Sequence, residues 1–320
     1  MLKKVAPLFA LSIMIAACGG DASSDSSEST PESTSGVEVE TLKLIIQPLV
    51  DYTPLYIGVE QGFFEEEGID LQMDLSQGGA AAIPAVMSGE AHIGGSNVVS
   101  LMTARSKGLE IVAFAPGVKA DKEYSAVIVS ADSPIQSPAD LAGKTLAVNT
   151  LRNIGEVTIR AALEGQVDVD DIQFTELGFG QMLPALEQGQ IDAAWVVQPF
   201  VTQAFEAGAR VISYNFEETA PELQVGLMFT SESFANDHPE LLERFQRAYA
   251  RSVTYATGNE AEVRQVLPSF AGIEDSVAEA MSLPIWPDEI DRESVASTGA
   301  LMVKYGVIPE LIDLDAFFGD

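Results

Sequence analysis

The sequence predicts an α/β protein of two lobes, each a mostly parallel sheet flanked by helices. Three observations predict it. Leu42-Lys43-Leu44-Ile45-Ile46 reads as a strand, Thr53 to Gly62 has helical apolar spacing with Gly62 as a stop, and Ile69 to Met73 alternates again. That β-α-β order favours a parallel pair with a right-handed crossover. The same order returns about 100 residues later, in Lys144 to Asn149, Gly155 to Glu164 and Ile172 to Thr175. Finally, Pro84-Ala85 through Gly89 matches Pro184-Ala185 through Gly189 in register, and short strands follow from Ile93 and Ala193. Glycine at both helix ends fits the left-handed cap conformation.

The elements follow in chain order. Met1-Leu2-Lys3-Lys4 is a short basic start, and Val5 to Ala17 is apolar. This is the pattern of a secretory signal, and the run is too short to span a bilayer. Residues 19–40 are rich in Ser, Thr, Gly, Asp and Glu and lack basic side chains. They bury too little apolar surface to order themselves, so they read as an extended acidic tether.

Between the two repeat units, Tyr124 to Ser130 is an apolar strand, and Ser137-Pro138 looks like a capped helix start. Val225 to Thr230 is another apolar strand. These two strands are expected to be the crossings between lobes. Asp237, Pro239 and Glu240 then open a helix with one apolar face through Leu241, Leu242, Phe245, Ala248, Tyr249, Val253 and Ala256. Further helices are expected at 259–267, 274–282 and 291–305, packed on the first lobe.

Of 320 residues, 48 are acidic and 17 basic, for a net charge of -31. Such a chain repels phosphate backbones, which excludes nucleic-acid binding. The one cysteine rules out internal disulfides and multi-cysteine zinc sites. His92 and His238 are the only histidines. Both read as structural, and no metal or cofactor is expected.

Two lobes joined by two crossings leave a cleft, and open parallel sheets bind ligands beyond the carboxyl ends of their strands. The loops there carry Gln47, Asp51, Tyr52, Thr53, Ser96, Asn97, Asn149, Thr150, Arg152, Asn153, Gln181, Trp195 and Gln198. These are donors, acceptors and aromatic faces without a nucleophile-base pair, so the set suits binding and not catalysis. Ser96-Asn97 and Asn149-Thr150 with Asn153 precede helices, where amides attract negative charge. Tyr52 and Trp195 offer rings to stack on a ligand, and Gln198 offers a polar contact.

Ile15-Ala16-Ala17-Cys18 resembles the bacterial lipobox. The likeness implies cleavage before Cys18, acylation of Cys18 and a lipid-anchored protein on the outer face of the cell membrane, toward periplasm or exterior. Gly58 to Asp70, the pair at 89–94 and 189–194, Asp132-Ser133-Pro134-Ile135 with Leu141-Ala142-Gly143-Lys144, and Asp192 to Pro199 resemble the nitrate/sulfonate/taurine/thiamine-precursor group of periplasmic solute-binding proteins. The resemblance spans roughly residues 41–310. It implies a type II periplasmic-binding-protein fold and a monomeric, non-enzymatic component of an ABC importer. The partners it implies are a small organic solute, a permease and its ATPase subunits. The expected organisation is a signal peptide at 1–17, a tether at 18–40, a first lobe at 41–127 and 229–320, and a second lobe at 128–228.

The expected ligand contacts are Gln47, Asp51, Tyr52, Ser96, Asn97, Asn149, Thr150, Asn153, Trp195 and Gln198. A carboxylate at Asp51 repels small anions, so an amine, a heteroaromatic ring or a zwitterion fits at least as well as a sulfonate. A solute sensor using the same closure is an alternative. Thiamine-pyrimidine synthesis enzymes resemble the same family but depend on histidine and cysteine groups that this chain largely lacks.

Overall fold

The computed structural model describes residues 39–320; the expected signal peptide, Cys18 and nearly all of the tether lie outside the described residues. The chain enters through β1 (Glu40–Ile46), α1 (Thr53–Glu60), α2 (Phe63–Glu66) and β2 (Ile69–Leu75). It continues through α3 (Gly79–Met87), β3 (Ile93–Asn97), α4 (Val98–Ser106) and β4 (Ile111–Pro116). Glu40, expected to end the tether, already pairs in β1, and its carboxylate meets Arg244.

The second run holds β5 (Ser125–Val129), β6 (Thr145–Val148), α5 (Ile154–Ala162), β7 (Gln173–Glu176), α6 (Phe179–Glu187), β8 (Ala193–Val197), α7 (Phe200–Glu206), β9 (Arg210–Ser213) and α8 (Asn215–Thr219). The chain then returns through β10 (Gly226–Ser231), α9 (Glu232–Asp237), α10 (Pro239–Gly258), α11 (Glu260–Ala271), α12 (Asp275–Ala280), α13 (Arg292–Lys304) and α14 (Leu314–Phe318).

Two five-stranded sheets result, in the orders β2-β1-β3-β10-β4 and β7-β6-β8-β5-β9. They share one plan. The first three strands are parallel, and the fourth, β10 or β5, runs antiparallel to both its neighbours. That fourth strand is in each case the segment that follows a crossing. The strands at 124–130 and 225–230 are therefore sheet members and not the crossings themselves. The chain passes between lobes just before them, and the expected breaks at 127/128 and 228/229 fall inside β5 and β10. The helix expected at Ser137 is a short 3-10 turn, Pro138–Leu141, held by a capping box between Ser137 and Asp140.

Alternation explains the packing of the second sheet, because successive strand side chains point to opposite faces. Ala126, Ile128, Ala194 and Val196 pack with Met182, Ala185 and Leu186 of α6 and Val201 and Ala204 of α7. Val127, Val129, Trp195 and Val197 belong to the larger core, with Val157 and Ile159 of α5 and Phe216 of α8. Both faces are covered, as a mostly parallel sheet requires.

The apolar stripe of α10 is buried from Leu241 to Ala256 and packs on α1 and α2. Each fully buried Leu or Phe there contributes about 1.5–3 kcal/mol. The helices expected at 259–267, 274–282 and 291–305 are α11, α12 and α13. The last of these touches both lobes, through α4 and α5. Among the described residues no helix is long and apolar enough to cross a membrane.

Candidate functional site

A cavity of ≈ 570 Å³ opens where the two sheets present their strand ends. The first lobe supplies Gln47 and Asp51 from the segment after β1, Gly78 and Gly79 at the start of α3, and Ser96 and Asn97 at the end of β3. The second supplies Asn149 after β6, Gly178 to Gln181 at the start of α6, and Trp195 and Val197 on β8. The plan of the fold dictates this, since strand ends and helix starts of both repeats converge there. Seven of the ten expected contacts line the cavity: Gln47, Asp51, Tyr52, Ser96, Asn97, Asn149 and Trp195.

Thr150, Asn153 and Gln198 do not line it. Asn153 is occupied elsewhere. Its Oδ1 accepts from the Ile154 amide at 2.7 Å, and its Nδ2 donates to Ser100 Oγ at 2.8 Å, linking α5 of one lobe to α4 of the other. Gln198 is buried and serves α7, its Oε1 accepting from Thr202 Oγ1 at 2.9 Å. Arg152 turns away and donates to the Gly306 carbonyl.

The helix starts differ in what they offer. Two amides before α5 are already taken by the protein's own carboxylates: Leu151 N donates to Glu176 at 3.0 Å and Arg152 N to Glu156 at 2.7 Å. Asn97 caps α4, accepting from Ser100 N at 2.9 Å. Helices α3 and α6 begin instead after Gly78 and Gly178, which have no side chain to cap them. Beside α3, the Ser96 hydroxyl is buried without a partner among the described residues. These unsatisfied groups are the donors left for a ligand.

Among the described residues Asp51 is the one carboxylate of the lining. Tyr124, at the end of the first crossing, donates its phenol hydrogen to Asp51 Oδ1. Trp286 Nε1 donates to the Asp51 main-chain carbonyl at 2.9 Å. Burial pushes the Asp51 carboxyl up to about 6, with the Tyr124 hydrogen bond pulling in the opposite direction. Burial together with the charge of Asp51 raises Tyr52 and Tyr124 well above the usual phenol range. Among the described residues no Lys, Arg or His lines the cavity.

The walls are aromatic to an extent the sequence reading missed. Tyr124, Phe179, Phe200 and Phe216 join Tyr52 and Trp195. Rings follow one another at centroid distances of 5.4 Å for Phe200 and Phe179, 5.5 Å for Phe179 and Trp195, and 5.8 Å for Trp195 and Phe216. Phe179 and Phe200 stand just after β7 and β8, so proximity to strand ends was a usable signal. Tyr124 and Phe216 lie beside the crossings, away from any loop that follows a parallel strand, and nothing local marks them.

Trp195 is held by a buried polar chain. Its Nε1 donates to Ser125 Oγ at 2.8 Å and Asn215 Oδ1 at 3.1 Å, and Asn215 Nδ2 donates to Thr158 Oγ1 at 2.7 Å. Tyr52 donates to Gln47 Oε1 at 3.1 Å, and Gln47 Nε2 to the Gly95 carbonyl at 3.0 Å. These bonds fix ring planes at the cavity wall.

Comparison with known proteins agrees with this fold. The chain is 24% identical over 237 residues to a formylaminopyrimidine-binding protein of Halalkalibacterium halodurans, covering 72% of this chain and 70% of that one. It is 25% identical over 189 residues to the taurine-binding periplasmic protein of Escherichia coli, covering 58% and 57%. In structure it resembles the alkanesulfonate-binding protein SsuA from Xanthomonas axonopodis pv. citri bound to MOPS, with a TM-score of 0.75, 16% identity, and coverage of 88% of this chain and 98% of that one. The family described as NMT1/THI5 like matches residues 50–263, and the chain belongs to that family.

Proposed function

We propose that the protein is the extracytoplasmic solute-binding component of an ABC importer. Its lobes close on a small organic solute and deliver it unchanged to a membrane permease with ATPase subunits. The observation that carries this reading is the ≈ 570 Å³ cavity, lined by equivalent strand ends and helix starts of two repeat-related sheets. Among the described residues its lining has rings, amides and hydroxyls but no cysteine or histidine, so it offers contacts without an activated nucleophile. The binding proteins among its relatives support the same reading. The lipobox-like stretch before Cys18 supports attachment to the membrane surface by acyl chains, with residues 19–40 as a spacer.

Of the two tryptophans of the chain, Trp195 stands in the cavity wall and Trp286 donates to the main-chain carbonyl of the lining residue Asp51. Intrinsic fluorescence therefore reports solute entry. A solute screen read by fluorescence and melting temperature should find a binder that raises the melting temperature by mass action. X-ray scattering should show a smaller radius with that solute, and mass spectrometry should recover it intact. Recovery of a chemically altered solute overturns the reading, as does undiminished uptake of that solute after gene deletion.

A further inference from the structure

Resting on that binding reading, we infer that the solute carries a protonated nitrogen on a flat unsaturated frame, and that Asp51 is the residue that selects it. Asp51 is 8% exposed and lines the cavity. Among the described residues it takes part in no ion pair, and no basic side chain reaches the lining. Its hydrogen-bonding neighbours are neutral: Tyr124 at the carboxylate and Trp286 at the carbonyl. A buried carboxylate without a counter-charge is costly, and a cationic solute supplies that charge in a site where water screens little. An anion in the same space meets a repulsive field.

Two further observations point the same way. In the turn before α5, the Leu151 and Arg152 amides already hold the protein's own carboxylates, Glu176 and Glu156. Those two amides are therefore not free for an anionic solute. The walls, meanwhile, are a run of aromatic faces from Tyr124 through Phe216, Trp195 and Phe179 to Phe200. Such faces stack flat frames and attract cations through the ring quadrupole. The open starts of α3 and α6 and the unpartnered Ser96 hydroxyl serve the acceptor atoms on the rest of the solute. At long range, the net charge of -31 attracts cations to the protein surface.

The groups facing Asp51 are Tyr52 beside it in the chain, Tyr124 from the crossing and Tyr249 from α10. Each phenol is raised above its ordinary range, so none titrates between pH 5 and pH 8. Within that window the change of charge at this place belongs to Asp51, which burial raises to about 6.

The test uses three probes of similar shape: benzamidine, benzamide and benzenesulfonate. Calorimetry at pH 8 should rank benzamidine tightest. Its affinity should fall at least about tenfold at pH 5 and in Asp51→Asn, whose fold is checked by circular dichroism. Benzamide binding should change little across either comparison. The inference is overturned if benzenesulfonate or benzamide binds the natural chain as tightly as benzamidine. It is also overturned if Asp51→Asn keeps full benzamidine affinity, or if benzamidine at millimolar concentration does not bind. Closure on benzenesulfonate defeats this inference while leaving the binding-protein reading intact. Failure to close on any solute of a broad metabolite panel defeats that reading itself.

Discussion

Trp195 occupies in β8 the register position that Gly95 holds in β3, and the two lobes fill that place from opposite sides. In the first lobe the large residue is Tyr52, ahead of α1; a Cβ on Gly95 would lie 2.4 Å from its ring. In the second lobe the strand carries the large residue, and the helix carries the small one. A Cβ on Gly155 would lie 2.4 Å from the Trp195 ring. Each lobe thereby brings one fixed aromatic ring to the cavity.

Gly155→Ala and Gly95→Ala should each destabilise the protein by about 1–3 kcal/mol, the usual cost of forcing atoms into a packed interior. Both should also weaken solute binding, because the ring must shift. Denaturant melts and a fluorescence titration check this. Unchanged stability in both variants would show that the rings have room the packing denies.

The raised Asp51 carboxyl has a definite effect on stability. In the unfolded chain it titrates near its ordinary 3.8, and in the folded protein near about 6. Between those values the folded state binds more protons, so its contribution to stability is largest at low pH and is lost as pH rises through 6. The solute-free protein should gain stability from this group on acidification from pH 7 to pH 4. At neutral pH, Asp51→Asn should stabilise it by roughly 2–3 kcal/mol. Melting curves of the natural chain and the variant across pH 4 to 8 should converge at the acid end. Parallel curves would refute the assignment.

Asn215 is wholly buried and joins Ser125, Trp195 and Thr158. Replacing it by Leu leaves donors of Ser125 and Trp195 without one acceptor and should cost about 1–3 kcal/mol. Affinity should fall with it, since the Trp195 ring loses its anchor. A variant as stable as the natural chain would argue against a tight network.

Asn153→Ala removes the cap of α5 and the bond to Ser100 across the lobes. A stability loss of about 1 kcal/mol is expected. The solute-free protein should also show a larger radius in scattering, because a link between α5 and α4 is gone. Direct contact with solute is not lost, so the affinity change should be smaller than for Trp195→Ala.

Cys18→Ser should move the protein from the membrane fraction to the soluble fraction of cells. Fractionation with immunodetection reads this directly. Retention on the membrane would remove the acyl anchor proposed for this position.

The sequence by itself determined the repeat, and with it the two sheets and the cleft. Periodicity and glycine placement are local, so Gly89 and Gly189 mark their turns without tertiary help. The equivalence extends to His92 and Asp192, each of which accepts from a backbone amide of the second strand in its sheet's order, Lys43 N of β1 at 3.2 Å and Thr145 N of β6 at 2.8 Å. Only the tertiary structure decided how the cavity is furnished. Asn153 and Gln198 are polar and stand at strand or helix ends, as ligand contacts do, but their hydrogen bonds go to Ser100 and Thr202. Tyr124 and Phe216 come to the cavity by way of the crossings, whose direction no local pattern states. A side chain's partner depends on which distant segment arrives opposite it, and that is settled by the packing of the whole chain.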